Sequence, residues 1–157
     1  MPLSTLLDWE LALKIDSLPS LALKPKPLPL RKKVLYIEDR KDNAEVVRRA
    51  VQRDYTFIHA TTGVAGLSLA ERHSPDLILL DIGLPDLDGF EVARRLRKIP
   101  NLCQRHIPII ALTGDCSEET RGRVEQAGFD FYMTKPMDFP ELWKRLDELN
   151  GSTESAS

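Results

Sequence analysis

The sequence predicts an α/β fold: a doubly wound, five-stranded parallel sheet flanked by five helices and preceded by an N-terminal helical and proline-rich extension. Three observations predict it. From Val34 onward, short apolar runs alternate five times with amphipathic segments. The runs are apolar throughout, which asks for cover on both faces and hence for a parallel sheet between two helical layers. Right-handed crossovers then leave the doubly wound arrangement, whose functional crevice lies at the carboxyl ends of the strands.

The elements follow in order. Leu7, Leu11, Ile15 and Leu18 share one helical stripe that Ser4 or Thr5 can cap and Pro19 ends. Residues 24–33 carry prolines at 25, 27 and 29 and five basic residues without an acid, the composition of an extended linker. A boundary near residue 32 separates this extension (1–32) from the main domain (33–150), and a polar GSTESAS stretch (151–157) reads as a disordered tail.

Val34–Ile37 is a buried strand ending in Glu38-Asp39. Asp42 and Glu45 have capping-box spacing, with Val46, Val47, Ala50 and Val51 as the apolar face of the helix they open. Tyr55–Ala60 is the second strand, and Thr62–His73 the second helix, with Val64, Leu67 and Leu69 as its apolar members. Leu77–Leu80 runs straight into Asp81; the loop Gly83-Leu84-Pro85 leads to Asp88 and Glu91, which open a helix to about Lys98. Ile107–Leu112 is the fourth strand. Ser117 begins the fourth helix and Ala127-Gly128 ends it; Phe129–Met133 is the fifth strand, and Asp138 with Glu141 opens the last helix, carrying Leu142, Leu146 and Leu149.

Composition bounds the function. The chain has 157 residues, 42% hydrophobic and 29% charged, with a net charge of −2, so no overall basic field draws it to nucleic acid or an anionic membrane. No apolar run approaches the ~20 residues that span a bilayer, and Asp8, Glu10, Lys14 and Asp16 interrupt the N-terminal leucines, so a cytoplasmic protein without a signal peptide is expected. Two cysteines, Cys103 and Cys116, without CxxC spacing argue against zinc and for reduced thiols. His59, His73 and His106 are scattered, and none has a second metal-ligand type beside it.

The carboxyl edge holds the chemistry. Strand one ends in Glu38 and Asp39, strand three in Asp81, strand four in Thr113-Gly114, and Lys135-Pro136 follows strand five. Three carboxylates brought to one crevice repel each other, and a hard divalent cation relieves that repulsion; Mg2+ suits one or two carboxylates plus waters and a phosphate. Asp81 can then act as a carboxylate nucleophile towards phosphorus, with the metal and Lys135 neutralising charge on the transferred group and Thr113 donating a hydrogen bond to it.

The segments VLYIEDR (34–40), DLILLDIGLPDLDGFE (76–91), PIIALTG (108–114) and AGFDFYMTKP (127–136) resemble, in order, the bacterial response-regulator receiver domain, which has the flavodoxin-like form of this fold. The resemblance covers Val34 to Asn150. It implies that Asp81 is phosphorylated, that Asp39 ligates magnesium directly and Glu38 through water, and that Gly83 offers its backbone carbonyl to the metal. It further implies a switch made of Thr113 and Tyr132, a charge-neutralising role for Lys135, and a cis Lys135-Pro136 bond. Glu38 departs from the aspartate often found there, and Gly114 from a common alanine, which opens access to the phosphoryl group.

The expected partners are a histidine kinase or histidine phosphotransfer protein and a downstream protein target, the latter met by the face of the last two helices and last strand. The N-terminal stripe favours partner contact or a homodimer. Because the chain ends soon after its last helix, no C-terminal DNA-binding domain is expected. Catalysis is limited to self-phosphorylation and slow self-dephosphorylation. Three alternatives stand beside this reading: the receiver of a hybrid sensor kinase, an interaction module that works without phosphorylation, and an aspartate-nucleophile phosphohydrolase. The last wants a second acid two residues after the nucleophile, where Gly83 stands. Asp86-Leu87-Asp88-Gly89 superficially resembles a calcium loop but lacks the spaced downstream glutamate.

Overall fold

The computed structural model describes residues 31–115 and 117–155. The elements are β1 (Lys32–Ile37), α1 (Lys41–Val51), β2 (Tyr55–Ala60), α2 (Gly63–His73), β3 (Leu77–Asp81), α3 (Gly89–Arg97), α4 (Pro100–Arg105), β4 (Ile109–Thr113), α5 (Glu118–Ala127), β5 (Phe131–Thr134) and α6 (Phe139–Ser155). The strands pair in parallel in the order β2-β1-β3-β4-β5. The N-terminal stripe, most of the Pro-rich segment and Cys116 lie outside the described residues.

Strand periodicity splits the core in two, because successive side chains leave opposite faces of a sheet. Leu35, Ile37, Ile78, Leu80, Ile109 and Ala111 meet Ala70 of α2, Phe90, Val92, Ala93 and Leu96 of α3, and Val124 and Ala127 of α5. Their neighbours Val34, Tyr36, Leu77, Leu79, Ile110 and Leu112 meet Ala44, Val47 and Val51 of α1 and Leu142 and Leu146 of α6. All five residues of β3 and all five of β4 are buried, as doubly covered central strands should be.

Several expectations change. Six helices, not five, flank the sheet among the described residues. The added one, α4, starts at Pro100, whose fixed φ suits the first helical position, and seats Leu102 with no exposed surface. That burial contributes roughly 2 kcal/mol, and Arg105 anchors the helix end to the Ser74 carbonyl and the Asp76 carboxylate. Lys32 and Lys33, read as linker, already belong to β1, with the Lys33 N–H donating to Asp76 at 2.7 Å. The polar stretch after Asn150 continues α6 to Ser155; a single glycine costs a helix only about 1 kcal/mol and need not end it.

The capping-box reading of Asp42 and Glu45 fails. Arg40 is the N-cap and caps with no side chain, while Glu45 pairs with Arg48 and Arg49. The chain must enter α1 directly after the acidic pair, which leaves no room for a cap at 42. Glu91 likewise pairs with Arg94 and Arg95, and Asp88 alone caps α3 through the Phe90 N–H at 3.0 Å. Ser117, Asp138 and Gly128 cap as expected, Gly128 with φ of 94°. Val46 and Val64, placed among the apolar members of their helices, are 60% and 61% exposed. In α2 the buried positions are Gly63, Gly66 and Ala70, small residues that let the helix lie close to its neighbours, Gly66 against Ile37 of β1 and Gly63 against Val92 of α3.

Gly89 sets how the loop after β3 turns back over the sheet. A Cβ there would lie 2.6 Å from the Ile82 Cα and 3.0 Å from its carbonyl oxygen, both backbone atoms. Gly89→Ala is therefore expected to lower stability by about 1–3 kcal/mol, read as a lower urea midpoint at unchanged slope.

Candidate functional site

Glu38 and Asp39 follow the last residue of β1, while Asp81 and Thr113 are the last residues of β3 and β4. Because β1 and β3 are adjacent, with their crossovers leaving to opposite sides, these ends flank the topological switch point of the sheet. Lys135 arrives from β5, and its bond to Pro136 is cis, as expected. The buried polar or charged side chains among the described residues are Glu38, Asp81 and Thr113. All of them sit at this edge.

Lys135 Nζ lies 2.9 Å from Asp81 Oδ2 and 3.1 Å from Glu38 Oε2. Burial alone would pull the ammonium's pKa down, but its hydrogen bonds and charge pairing with the two carboxylates outweigh this and raise it. Lys135 thus stays charged. The Gly83 N–H donates to Asp81 Oδ1 at 3.0 Å and the Arg40 N–H to Glu38 Oε1 at 3.2 Å. Tyr36, inside the sheet's cover, donates its hydroxyl to Glu38 Oε2 at 3.1 Å. Burial first, and the Glu38 charge second, push the phenol pKa far above its ordinary value, which keeps it a donor.

Asp39 is exposed, and one carboxylate oxygen from each of Glu38, Asp39 and Asp81 lies within 4.8 Å of the others. Against three negative charges stands one ammonium. Such a set of hard oxygen donors, with two carboxylates buried and one open to water, suits a divalent cation that keeps part of its hydration. The acidic cluster can hold a metal ion.

On the other side of Asp81 an open cleft is lined by Gly83, Thr113, Gly114, Asp115 and Arg123. Gly114 has nothing within 4 Å of where a Cβ would be, in accord with the open access expected there. Thr113 Oγ1 donates to the Asp115 carbonyl at 3.2 Å and accepts the Asp115 N–H at 2.9 Å, so the hydroxyl is held in its own loop. The Asp115 carboxylate takes the Ser117 N–H and the Ser117 and Thr120 hydroxyls, which hold its pKa below the usual range. Tyr132 is half-buried, two residues behind Thr113 in the β4–β5 register, with its hydroxyl accepting from Arg121 at 3.1 Å.

Glu38, Asp39, Asp81 and Lys135 come together as one constellation; Gly83 joins through its N–H, and Thr113 lines the cleft beside Asp81. Tyr132 is engaged instead with α5. Sequence reasoning missed Tyr36 and Arg123. Tyr36 was legible in principle, since two residues before Glu38 on one strand means the same face. Arg123 was not: its guanidinium stacks 4.1 Å over Phe90 and pairs with Asp88 at 3.2 Å, contacts made only by packing α5 on α3. Asp86 accepts from the Gly63 and Val64 N–H groups at 2.8 and 3.0 Å, so Asp86 and Asp88 serve as helix caps rather than a calcium loop.

Comparison with known proteins agrees with this geometry. The family model for the response regulator receiver domain matches residues 34–147. The polar-differentiation response regulator DivK of Brucella ovis is 37% identical over 123 residues, spanning 78% of this chain and 98% of that protein. The Brucella anthropi DivK is 37% identical over 121 residues, 76% of this chain and 97% of that one. Among solved structures, the chemotaxis protein CheY4 of Vibrio cholerae superposes with a TM-score of 0.69 at 26% identity, covering 75% of this chain and 98% of its own. The receiver domain of the Pseudomonas aeruginosa sensor histidine kinase PA1611, which has a magnesium ion coordinated in its active-site cleft, superposes at 0.67 with 33% identity, covering 75% and 96%. The chain belongs to the response regulator receiver family of two-component systems and is a phosphorylatable signalling receiver.

Proposed function

We propose that Asp81 is the phosphoryl acceptor, that Mg2+ is the ion held by Asp39 and Asp81 with the Gly83 carbonyl and, through water, Glu38, and that the donor is a histidine kinase or histidine phosphotransfer protein. The observation that carries this is the placement of Lys135 Nζ, 2.9 Å from Asp81 and 3.1 Å from Glu38, beside a third carboxylate. A carboxylate oxygen of Asp81 forms the new bond to phosphorus, and the bond to the donor's nitrogen breaks with its electron pair leaving on that nitrogen. Lys135 neutralises charge on the transferred group. A divalent cation held by these carboxylates would add neutralisation of the phosphoryl oxygens.

Readout begins at Thr113. Its hydroxyl leaves the Asp115 carbonyl for a phosphoryl oxygen, and Tyr132 turns in behind it, leaving Arg121. The face of α5, β5 and α6 then changes for a downstream protein. The protein acts in the cytoplasm through protein contacts, with the segment ahead of β1 as an extension for partner contact or homodimerisation. Its chemistry is confined to its own acyl phosphate: formation, then slow hydrolysis.

Incubation with Mg2+ and acetyl phosphate tests the reading, with phosphate-affinity gels as readout: wild type should shift and Asp81→Asn should not. An Asp81→Asn protein that shifts as wild type does would sink it. Thr113→Ala should still be phosphorylated but fail to change the Arg121–Tyr132 contact, measured as an unchanged Tyr132 ring signal by NMR on adding beryllofluoride. The same chemistry serves a receiver within a hybrid sensor kinase, and the PA1611 receiver is a domain of a sensor histidine kinase; the size of the native gene product on an immunoblot separates the two settings.

A further inference from the structure

Glu38 poses a problem of position. It has no exposed surface, and its side chain has one more rotatable bond than an aspartate. One of its oxygens, Oε2, is drawn by Lys135 at 3.1 Å, and Lys135 is drawn in turn by Asp81. Left to that ion pair, the carboxylate would follow the ammonium. A second restraint on the same oxygen comes from the Tyr36 hydroxyl, which donates to Oε2 at 3.1 Å.

Tyr36 is itself rigidly placed. It leaves β1 on the face that carries Glu38, two residues on. Its ring packs against Phe57 at 6.4 Å and His59 at 6.3 Å, and His59 Nε2 lies 2.7 Å from the Glu38 carbonyl oxygen. The tyrosine and the main chain of the acid are thus tied to one aromatic cluster across β1 and β2. Strand register brings these groups level, pairing Tyr36 with His59.

We propose that Tyr36 is a positioning residue for the cation site, fixing the Glu38 carboxylate beside Asp39 and Asp81 by sharing its Oε2 with Lys135. Buried groups that orient a metal's carboxylates by hydrogen bonding govern affinity without touching the ion. Without the phenol O–H, Oε2 is left to Lys135 alone, and a cation must compete with a tighter ion pair. The proposal rests on the reading of the acidic cluster as a Mg2+ site.

The test is a double-mutant cycle on Mg2+ affinity by calorimetry, using wild type, Tyr36→Phe, Glu38→Ala and the double variant, with metal-free urea stability measured for all four. Phenylalanine keeps the ring and removes only the O–H. Tyr36→Phe should weaken Mg2+ binding about tenfold, or about 1.4 kcal/mol, and should have no further effect once Glu38 is alanine. Unchanged affinity in Tyr36→Phe, or an equal loss in both backgrounds, would overturn the proposal. Absence of Asp81-dependent Mg2+ binding in wild type would instead overturn the underlying metal reading, so the two failures are distinguishable.

Discussion

Asp81→Asn is expected to abolish phosphorylation outright, with no gel-shifted species at any acetyl phosphate concentration in the presence of Mg2+. The amide keeps the size of the side chain and its carbonyl can still accept the Gly83 N–H that Asp81 Oδ1 now accepts at 3.0 Å. What it loses is the negative oxygen proposed to attack phosphorus, and an amide is no nucleophile for this step. The neighbouring acids do not substitute, because Glu38 is tied to Tyr36, Lys135 and the Arg40 N–H, while Asp39 is exposed. The variant also lowers the cluster's charge from −2 to −1, counting Glu38, Asp39 and Asp81 against Lys135. Mg2+ affinity should therefore fall as well. Calorimetry separates this from the chemical loss, because raising Mg2+ restores occupancy but not phosphorylation.

Lys135→Ala should separate binding from chemistry in the opposite sense. With the ammonium gone, three carboxylates face the cation without an internal competitor, so Mg2+ affinity is expected to hold or rise. Phosphorylation by acetyl phosphate should nonetheless slow by about 10²–10³-fold, the usual cost of removing one preorganised charge partner. A Lys135→Ala protein phosphorylated at the wild-type rate would contradict the role given to this residue. The pH dependence follows from its raised pKa. A lysine whose folded-state pKa lies above its unfolded one contributes stability that is fully present below the unfolded value, near 10.4, and lost as pH rises through the folded one. Neither the Lys135 contribution to stability nor its contribution to rate should fade between about pH 7 and about pH 9. A rate that collapsed in that window in wild type but not in Lys135→Ala would show the ammonium titrating where the geometry keeps it charged.

The chemistry-bearing residues were legible because each lies at the end of an apolar run or directly after it, and in a doubly wound sheet all such ends share one edge. Glu38, Asp39, Asp81, Thr113 and Lys135 needed only the periodicity of their strands to be placed there. Residues whose partners come from elsewhere in the chain were read less well. Asp86 looked like one more acid in an acidic loop, yet it caps α2 from 23 residues away. Glu45 looked like a cap and is an ion-pair partner. Val46 and Val64 fit helical stripes but face outward, because α2 buries Gly63, Gly66 and Ala70 and α1 buries Ala44, Val47 and Val51 instead.

By itself, then, the sequence determined the layer architecture, the carboxyl edge and the residue types gathered on it, since local periodicity and strand-end chemistry are properties of short segments. Tertiary packing decided the strand order, the α4 turn around Leu102, the Arg97–Asp130 link between α3 and the entry to β5, and the Tyr36 hydrogen bond on Glu38. These depend on which surfaces meet, and on buried polar atoms finding partners once water is excluded. No window of neighbouring residues carries that information.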